Sequence, residues 1–230
     1  MFKKIIDTIT DSLRVKNNEI IGNIYNLEKK LNGEIPVTRL ELLVLVSSWG
    51  RTSIFYTNIK DDKVLIKEKN KGKSFDLSKL DVSKITNMDY IFKCSLFTGD
   101  ISKWDVSNVT SMNSMFYEAE NFDQNISNWN VSNVTSMSYM FYDAKAFNQN
   151  ISSWNFDNII SCDYMFYNAK AFKDRYNSGK PLPEDTDDIK TWININRDRM
   201  NAIDIKENHG EEIDDFFSNI TDIYSTNRIR

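Results

Sequence analysis

The chain is short of the residues that mark several protein classes. Its 230 residues include two cysteines, one histidine, seven glycines and three prolines. Two cysteines cannot make a disulfide framework, and with a single histidine they do not make a zinc site. Cys94 and Cys162 are expected to be reduced. The histidine, His209, lies in Asn208-His209-Gly210 with no nucleophile motif beside it, which reads as an exposed loop position. Low glycine and proline argue against long disordered linkers. Neither G-x-x-x-x-G-K-[ST] nor G-x-G-x-x-G occurs, so no phosphate-cradling loop is expected. No apolar run reaches 18 residues, so no membrane span is expected. The start, Met1-Phe2-Lys3-Lys4-Ile5-Ile6, is broken by Asp7 and Asp11 before a signal-peptide core forms. A cytoplasmic or virion- and host-associated location follows as the expectation.

What the chain has instead is repetition. I-S-x-W-[DN]-V-S-N-V-T-S-M-x-x-M-F occurs twice almost verbatim and twice in weaker form. Trp104, Trp129 and Trp154 are 25 residues apart. Phe116, Phe141 and Phe166 keep the same step, as do Ala119, Ala144, Ala169 and Phe122, Phe147, Phe172. A shorter first copy begins near Leu77 and puts Leu80 in the tryptophan position. Repetition at this period marks units that cannot bury their own apolar faces and stack on copies of themselves.

Two spacings occur in each copy. Ile101-Ser102-Lys103-Trp104-Asp105-Val106 alternates like a short strand. Met112, Met115, Phe116 and Ala119 then fall at i, i+3, i+4 and i+7, the spacing of one helix face. Stacking the copies predicts an α/β solenoid of about four repeats. Its parallel strands would lie near 80–82, 104–106, 129–131 and 154–156, each followed by a short helix such as 111–119. The outward strand positions, Asp81, Asp105, Asn130 and Asn155, make a polar column. That column is either a hydrogen-bonded ladder or a binding face for a ligand or partner.

The flanks complete three segments: an N-terminal cap over 1–76, the repeats over 77–172, and a C-terminal cap or docking segment over 173–230. Helices are predicted over 2–13 and 19–31, the second stopping at Asn32-Gly33. Thr38-Arg39-Leu40-Glu41 is a capping box before a third. Ser53–Thr57 and Lys63–Lys67 suggest a hairpin. Past Gly179-Lys180-Pro181-Leu182-Pro183, the residues Ile189, Trp192, Ile193 and Ile195 form a helix or short strand, and Glu211–Ser225 has a helical apolar face. Trp192, Phe216 and Phe217 are the apolar anchors best suited to a partner, or to a second copy of the chain.

The run W-[DN]-V-S-N-V-T-S-M-x-x-M-F-Y-x-A-x-x-F-[DN]-Q-[DN]-I-S-x-W resembles the BspA-type leucine-rich-repeat family, also known from mycoplasma lipoproteins, bacterial surface proteins and large DNA viruses. The matching positions are Trp104, Val109, Met112, Met115 and Phe116, then Trp129, Val134, Met137, Met140 and Phe141. The first copy lacks the tryptophan, and the last has Phe156, Ile160 and Cys162 where Val, Thr and Met are expected. The resemblance implies a leucine-rich-repeat-like solenoid and roles in adhesion or partner binding.

Charge is uneven. Residues 76–172 hold 6 Lys/Arg against 11 Asp/Glu, whereas residues 1–75 hold 14 against 9. An acidic repeat body disfavours nucleic acid as the partner, and the lysine-rich stretch 60–73 reads as a solvated hairpin or loop. The expected function is a non-enzymatic protein–protein interaction or structural module with no cofactor and no metal. The competing reading is a carboxylate-dependent enzyme or metal-binding protein built on Asp187, Asp188, Asp214 and Asp215.

Overall fold

The computed structural model describes residues 27–47, 55–59, 62–66 and 77–209. The predicted helix over 2–13 and the segment 211–225, with Asp214, Asp215, Phe216 and Phe217, lie outside these residues. The elements are α1 (Leu27–Leu31), α2 (Arg39–Ser47), β1 (Phe55–Ile59), β2 (Asp62–Ile66), α3 (Lys170–Asn177) and α4 (Thr186–His209). Strands β1 and β2 pair antiparallel as a hairpin, Phe55 opposite Ile66. His209 ends α4 rather than sitting in a loop.

The repeats stack, but not as the α/β solenoid expected. None of 80–82, 104–106, 129–131 and 154–156 is a strand, and 111–119 is a series of turns, not a helix. Among the described residues the hairpin is the only sheet, and the copies meet through single parallel bridges, Asn87 to Ser111 to Ser136 to Ser161. The reason lies in how the backbone N–H groups are shared out. A helix would spend each one four residues back. Here alternate residues donate to the next copy: Met112 N to Ser136 O (2.8 Å), Ser114 N to Ser138 O (2.9 Å), Phe116 N to Met140 O (2.9 Å) and Glu118 N to Tyr142 O (2.7 Å). The residues between them close three-residue turns, such as Met115 N to Met112 O and Ala119 N to Phe116 O. To alternate in this way the chain enters the left-handed region at Ser114 (φ 54°) and Glu118 (φ 54°), and at the equivalent Tyr90, Cys94, Tyr139, Asp143, Tyr164 and Asn168. None of these is glycine, so the layer-to-layer bonds hold a conformation that disfavours most side chains.

The strand-like stretch is also made of turns. Trp104 N bonds Ile101 O and Val109 N bonds Val106 O. Side chains then tie one layer to the next. Asn108, Asn133 and Asn158 donate to Ser83 O, Ser107 O and Ser132 O. Thr110 and Thr135 Oγ1 donate to Thr86 O and Thr110 O. This accounts for the Asn and Thr of V-S-N-V-T in the two middle copies.

The core is the set of columns. Phe92, Phe116, Phe141 and Phe166 stack with centroids 5.2, 5.6 and 5.9 Å apart. Phe122, Phe147 and Phe172 form a second column beside them. Trp104, Trp129 and Trp154 are buried, and their indole N–H groups donate to Leu77 O, Ile101 O and Ile126 O, each one layer back. A buried tryptophan needs such a partner.

Both ends of the stack are closed. At the first copy, the capping box starts α2: Thr38 N donates to Glu41 Oε2 (2.8 Å) and Glu41 N to Thr38 Oγ1 (3.3 Å). Lys30 pairs with Glu41 in a buried contact. Gly33 ends α1 at φ 75°, where a Cβ would lie 2.3 Å from Lys79 O. At the last copy, Thr186 Oγ1 accepts from Cys162 N, and Lys190 Nζ donates to Ile159 O. Helix α4 buries Ile189, Ile193 and Met200, and Trp192 lies 6.2 Å from Phe172.

Trp129→Ala is expected to cost about 3–5 kcal/mol in chemical denaturation, the usual range for truncating a large core aromatic. Trp129→Phe should cost less, although it leaves Ile101 O without its donor. A loss below about 1 kcal/mol for the alanine variant would show that the column is not the core.

Candidate functional site

The polar column expected to face outward is exposed at Asp105, Asn130 and Asn155 and half-buried at Asp81. Its side chains are committed to their own turns. Oδ1 of Asp81, Asp105, Asn130 and Asn155 accepts the N–H two residues on, from Ser83, Ser107, Ser132 and Asp157, at 3.0, 3.0, 3.1 and 2.7 Å. Bonds from Ser107 hold the Asp105 carboxyl below its ordinary range. These are Asx turns, which fix the local backbone. Trp192 is half-buried, with its indole N–H 3.3 Å from Asn177 Oδ1. It packs on the core as part of the cap. Asp187 and Asp188 are exposed in the first turn of α4. Asp185 accepts from Asp188 N at 3.0 Å, which lowers the Asp185 carboxyl, while the bond to and charge of Asp185 raise that of Asp188. Among the described residues no group of three His, Cys, Asp or Glu side chains is arranged to hold a metal ion.

One surface of the stack has a different character. The residue after each core phenylalanine in the last three copies is a tyrosine: Tyr117, Tyr142 and Tyr167. Their rings stack at 4.8 and 4.7 Å, with interplanar angles of 4° and 15°. A second row runs beside the first through Tyr90, Ser114, Tyr139 and Tyr164. There Tyr139 and Tyr164 stack at 5.4 Å. The rows touch: Tyr139 lies 6.0 Å from Tyr142, and Tyr164 lies 6.2 Å from Tyr167 edge-on. Tyr90, Tyr139, Tyr164 and Tyr167 are 37–46% exposed, while the repeated phenylalanines and tryptophans beneath them are buried. Offset stacked pairs contribute about 0.5–1.5 kcal/mol each beyond burial. Within a row the ring faces meet one another, so edges and hydroxyls are presented to solvent.

Every second-row position has positive φ, Ser114 included. At its three tyrosines the side chain is exposed, whereas Ser114 is buried. The first row starts from a lysine. Lys93, one layer before Tyr117, places its ammonium 4.7 Å from the Tyr117 ring centre and 5.5 Å from that of Tyr90. Carboxylates border the rows. Glu118 follows Tyr117 and Asp143 follows Tyr142; Glu118 Oε2 accepts from Cys94 Sγ at 3.5 Å, and Asp143 accepts from Asn168. Partial burial, and then the nearby negative charge, keeps the Tyr117 and Tyr142 hydroxyls protonated above the ordinary tyrosine value.

The stack and its tyrosine rows occupy residues that a known family also spans. A family model described as Mycoplasma protein of unknown function, DUF285, matches residues 63–178. That is just over half of the chain. The chain belongs to this family. No curated protein and no solved structure matches it. The DUF285 region runs from β2 through all four copies to the end of α3, so it contains every tyrosine of the two rows. Among the described residues no helix is long and apolar enough to cross a membrane.

Sequence reasoning missed the tyrosine face. The signal was present as the 25-residue step of Tyr117, Tyr142 and Tyr167 and of Tyr139 and Tyr164. Tyr139 and Tyr142, like Tyr164 and Tyr167, are three residues apart and would share a face even on a helix, so the surface was legible in the spacing.

The hydroxyl titration gives a direct check. Because the folded state holds these protons more tightly, its contribution to stability is complete below the unfolded tyrosine value of about 10. It is lost as pH rises through the higher folded values. Phenolate absorbance should show a late-ionising set of tyrosines in the folded chain, the buried Tyr176 among them, and Tyr142→Phe should remove one member. Ionisation of every tyrosine at the ordinary value would contradict the stacked arrangement.

Proposed function

We propose that this protein is a non-enzymatic protein-binding module whose contact surface is the double row of tyrosines. The observation that carries the reading is the exposure of Tyr90, Tyr139, Tyr164 and Tyr167 on a stack that buries its repeated phenylalanines and tryptophans. Tyrosine offers a large, rigid and amphipathic contact area with few rotatable bonds to freeze, which is why it is enriched at binding surfaces. Here the rings are already ordered by one another, so little conformational entropy remains to be lost on association. The resemblance to BspA-type repeat proteins, whose known roles are adhesion and partner binding, supports the same reading. No specific observation favours an enzyme: Asp187 and Asp188 are exposed at a helix start, where acidic side chains complement the helix dipole.

The test uses the full chain as bait in its native source, with partners quantified by mass spectrometry. The triple variant Tyr139→Ala, Tyr164→Ala, Tyr167→Ala is expected to keep a single cooperative unfolding transition and to lose the recovered partners. Recovery of the same partners at the same level by the folded variant would reject this surface as the interface.

A further inference from the structure

Resting on that reading of the tyrosine face, we infer that its occupant is an extended cationic segment of a partner protein, with arginine or lysine groups set along the tyrosine rows beside the carboxylates of Glu118 and Asp143. Three observations point there. The chain already places one cation on these rings, the Lys93 ammonium 4.7 Å from the Tyr117 centre and 5.5 Å from that of Tyr90. Such contacts are attractive at exposed sites and strengthen once water is excluded. Second, one border of the face is acidic: Glu118 and Asp143 follow Tyr117 and Tyr142 in the first row. Two of the nearby lysines are already engaged, Lys93 on the rings and Lys145 with Glu120 at 2.9 Å. Third, the repeat body as a whole carries 6 Lys/Arg against 11 Asp/Glu. A field of that sign attracts a cationic segment and repels nucleic acid or an acidic peptide.

The shape of the face restricts the occupant further. Ring faces within the rows are covered by neighbouring rings, with interplanar angles of 4–15°. Within the rows a bound group therefore meets edges and hydroxyls rather than open ring faces, so guanidinium groups engage the hydroxyls there. The protonated hydroxyls keep their lone pairs and accept hydrogen bonds from guanidinium groups without adding charge. An extended chain along the rows gives alternate side chains to one face, so a segment with a cation at every second residue presents all its cations to the surface.

The test titrates the full chain with short labelled peptides by fluorescence anisotropy. One peptide alternates arginine and serine, a second replaces arginine by neutral citrulline, and a third replaces it by glutamate. The arginine peptide is expected to bind at least about tenfold tighter than the citrulline one and to weaken with added salt. The glutamate peptide should not bind. The double variant Glu118→Gln, Asp143→Asn should lose about tenfold in affinity for the arginine peptide, with near-UV circular dichroism unchanged. Tyr142→Ala and Lys93→Ala, tested separately, distinguish ring from charge: the first should weaken binding, and the second, which uncovers Tyr117, should not. Equal binding of the arginine and citrulline peptides overturns the proposal, as does an unaltered affinity in the folded double variant. If the arginine peptide fails while the tyrosine triple variant still loses the native partner, the cationic assignment falls and the binding reading stands.

Discussion

The structure depends on hydrogen bonds between equivalent layers of the repeat. Alternate N–H groups of 112–118 reach the carbonyls of 136–142 at 2.7–2.9 Å, and the same set recurs one layer before and one after. Each bond contributes about 0.5–1.5 kcal/mol net, but a buried N–H without its partner costs more. The bonds are therefore a constraint more than a source of stability. They set the spacing of the layers, and that spacing lets the phenylalanines stack at 5.2–5.9 Å inside and the tyrosines at 4.7–5.4 Å outside. One backbone ladder thus organises the core and the proposed contact surface together.

Much of the burial pattern was legible in the residues, because it follows from repetition alone. Met112, Met115, Phe116 and Ala119 are buried as their columns suggest. Their local geometry was not legible. Spacing of i, i+3, i+4 and i+7 is common to a helix and to successive three-residue turns, and only the destination of each N–H separates them. That destination lies 24 residues away in a neighbouring copy, beyond what a local pattern reports. Positive φ at Tyr139, Glu118 and Asp143 carried no glycine to announce it. The strand reading failed similarly: Trp-Asp-Val alternates, but Asp105 and Asn130 turn back on their own backbone. The capping box at Thr38 and the stop at Gly33 were legible because their chemistry is local.

The site follows the same division. A column of aspartate and asparagine reads as the outward face of strands, yet Oδ1 of each is bonded in its own turn. Trp192 attracted attention as an apolar anchor, yet it covers the last phenylalanine layer. The tyrosines gave a repeat signal of equal regularity. Their rows lie side by side on the stack. Membership of DUF285 covers this whole region without assigning it an activity. The functional argument therefore rests on what the face offers physically: ordered rings, protonated hydroxyls and an acidic border.

The central claim is that one 25-residue step is one layer and that the layers hold the two faces in register. Removing residues 106–130 tests it most directly, because Asp105 then joins Val131 and restores the motif W-D-V-S-N across the seam. Near-nearest-neighbour coupling between stacked units predicts a shorter protein that unfolds in one cooperative transition at lower denaturant and keeps its aromatic circular dichroism. A deletion two residues shorter, 106–128, should abolish both. If the in-register deletion loses its cooperative transition and aromatic signal as completely as the out-of-register one, the repeat is not the structural layer and the account is wrong.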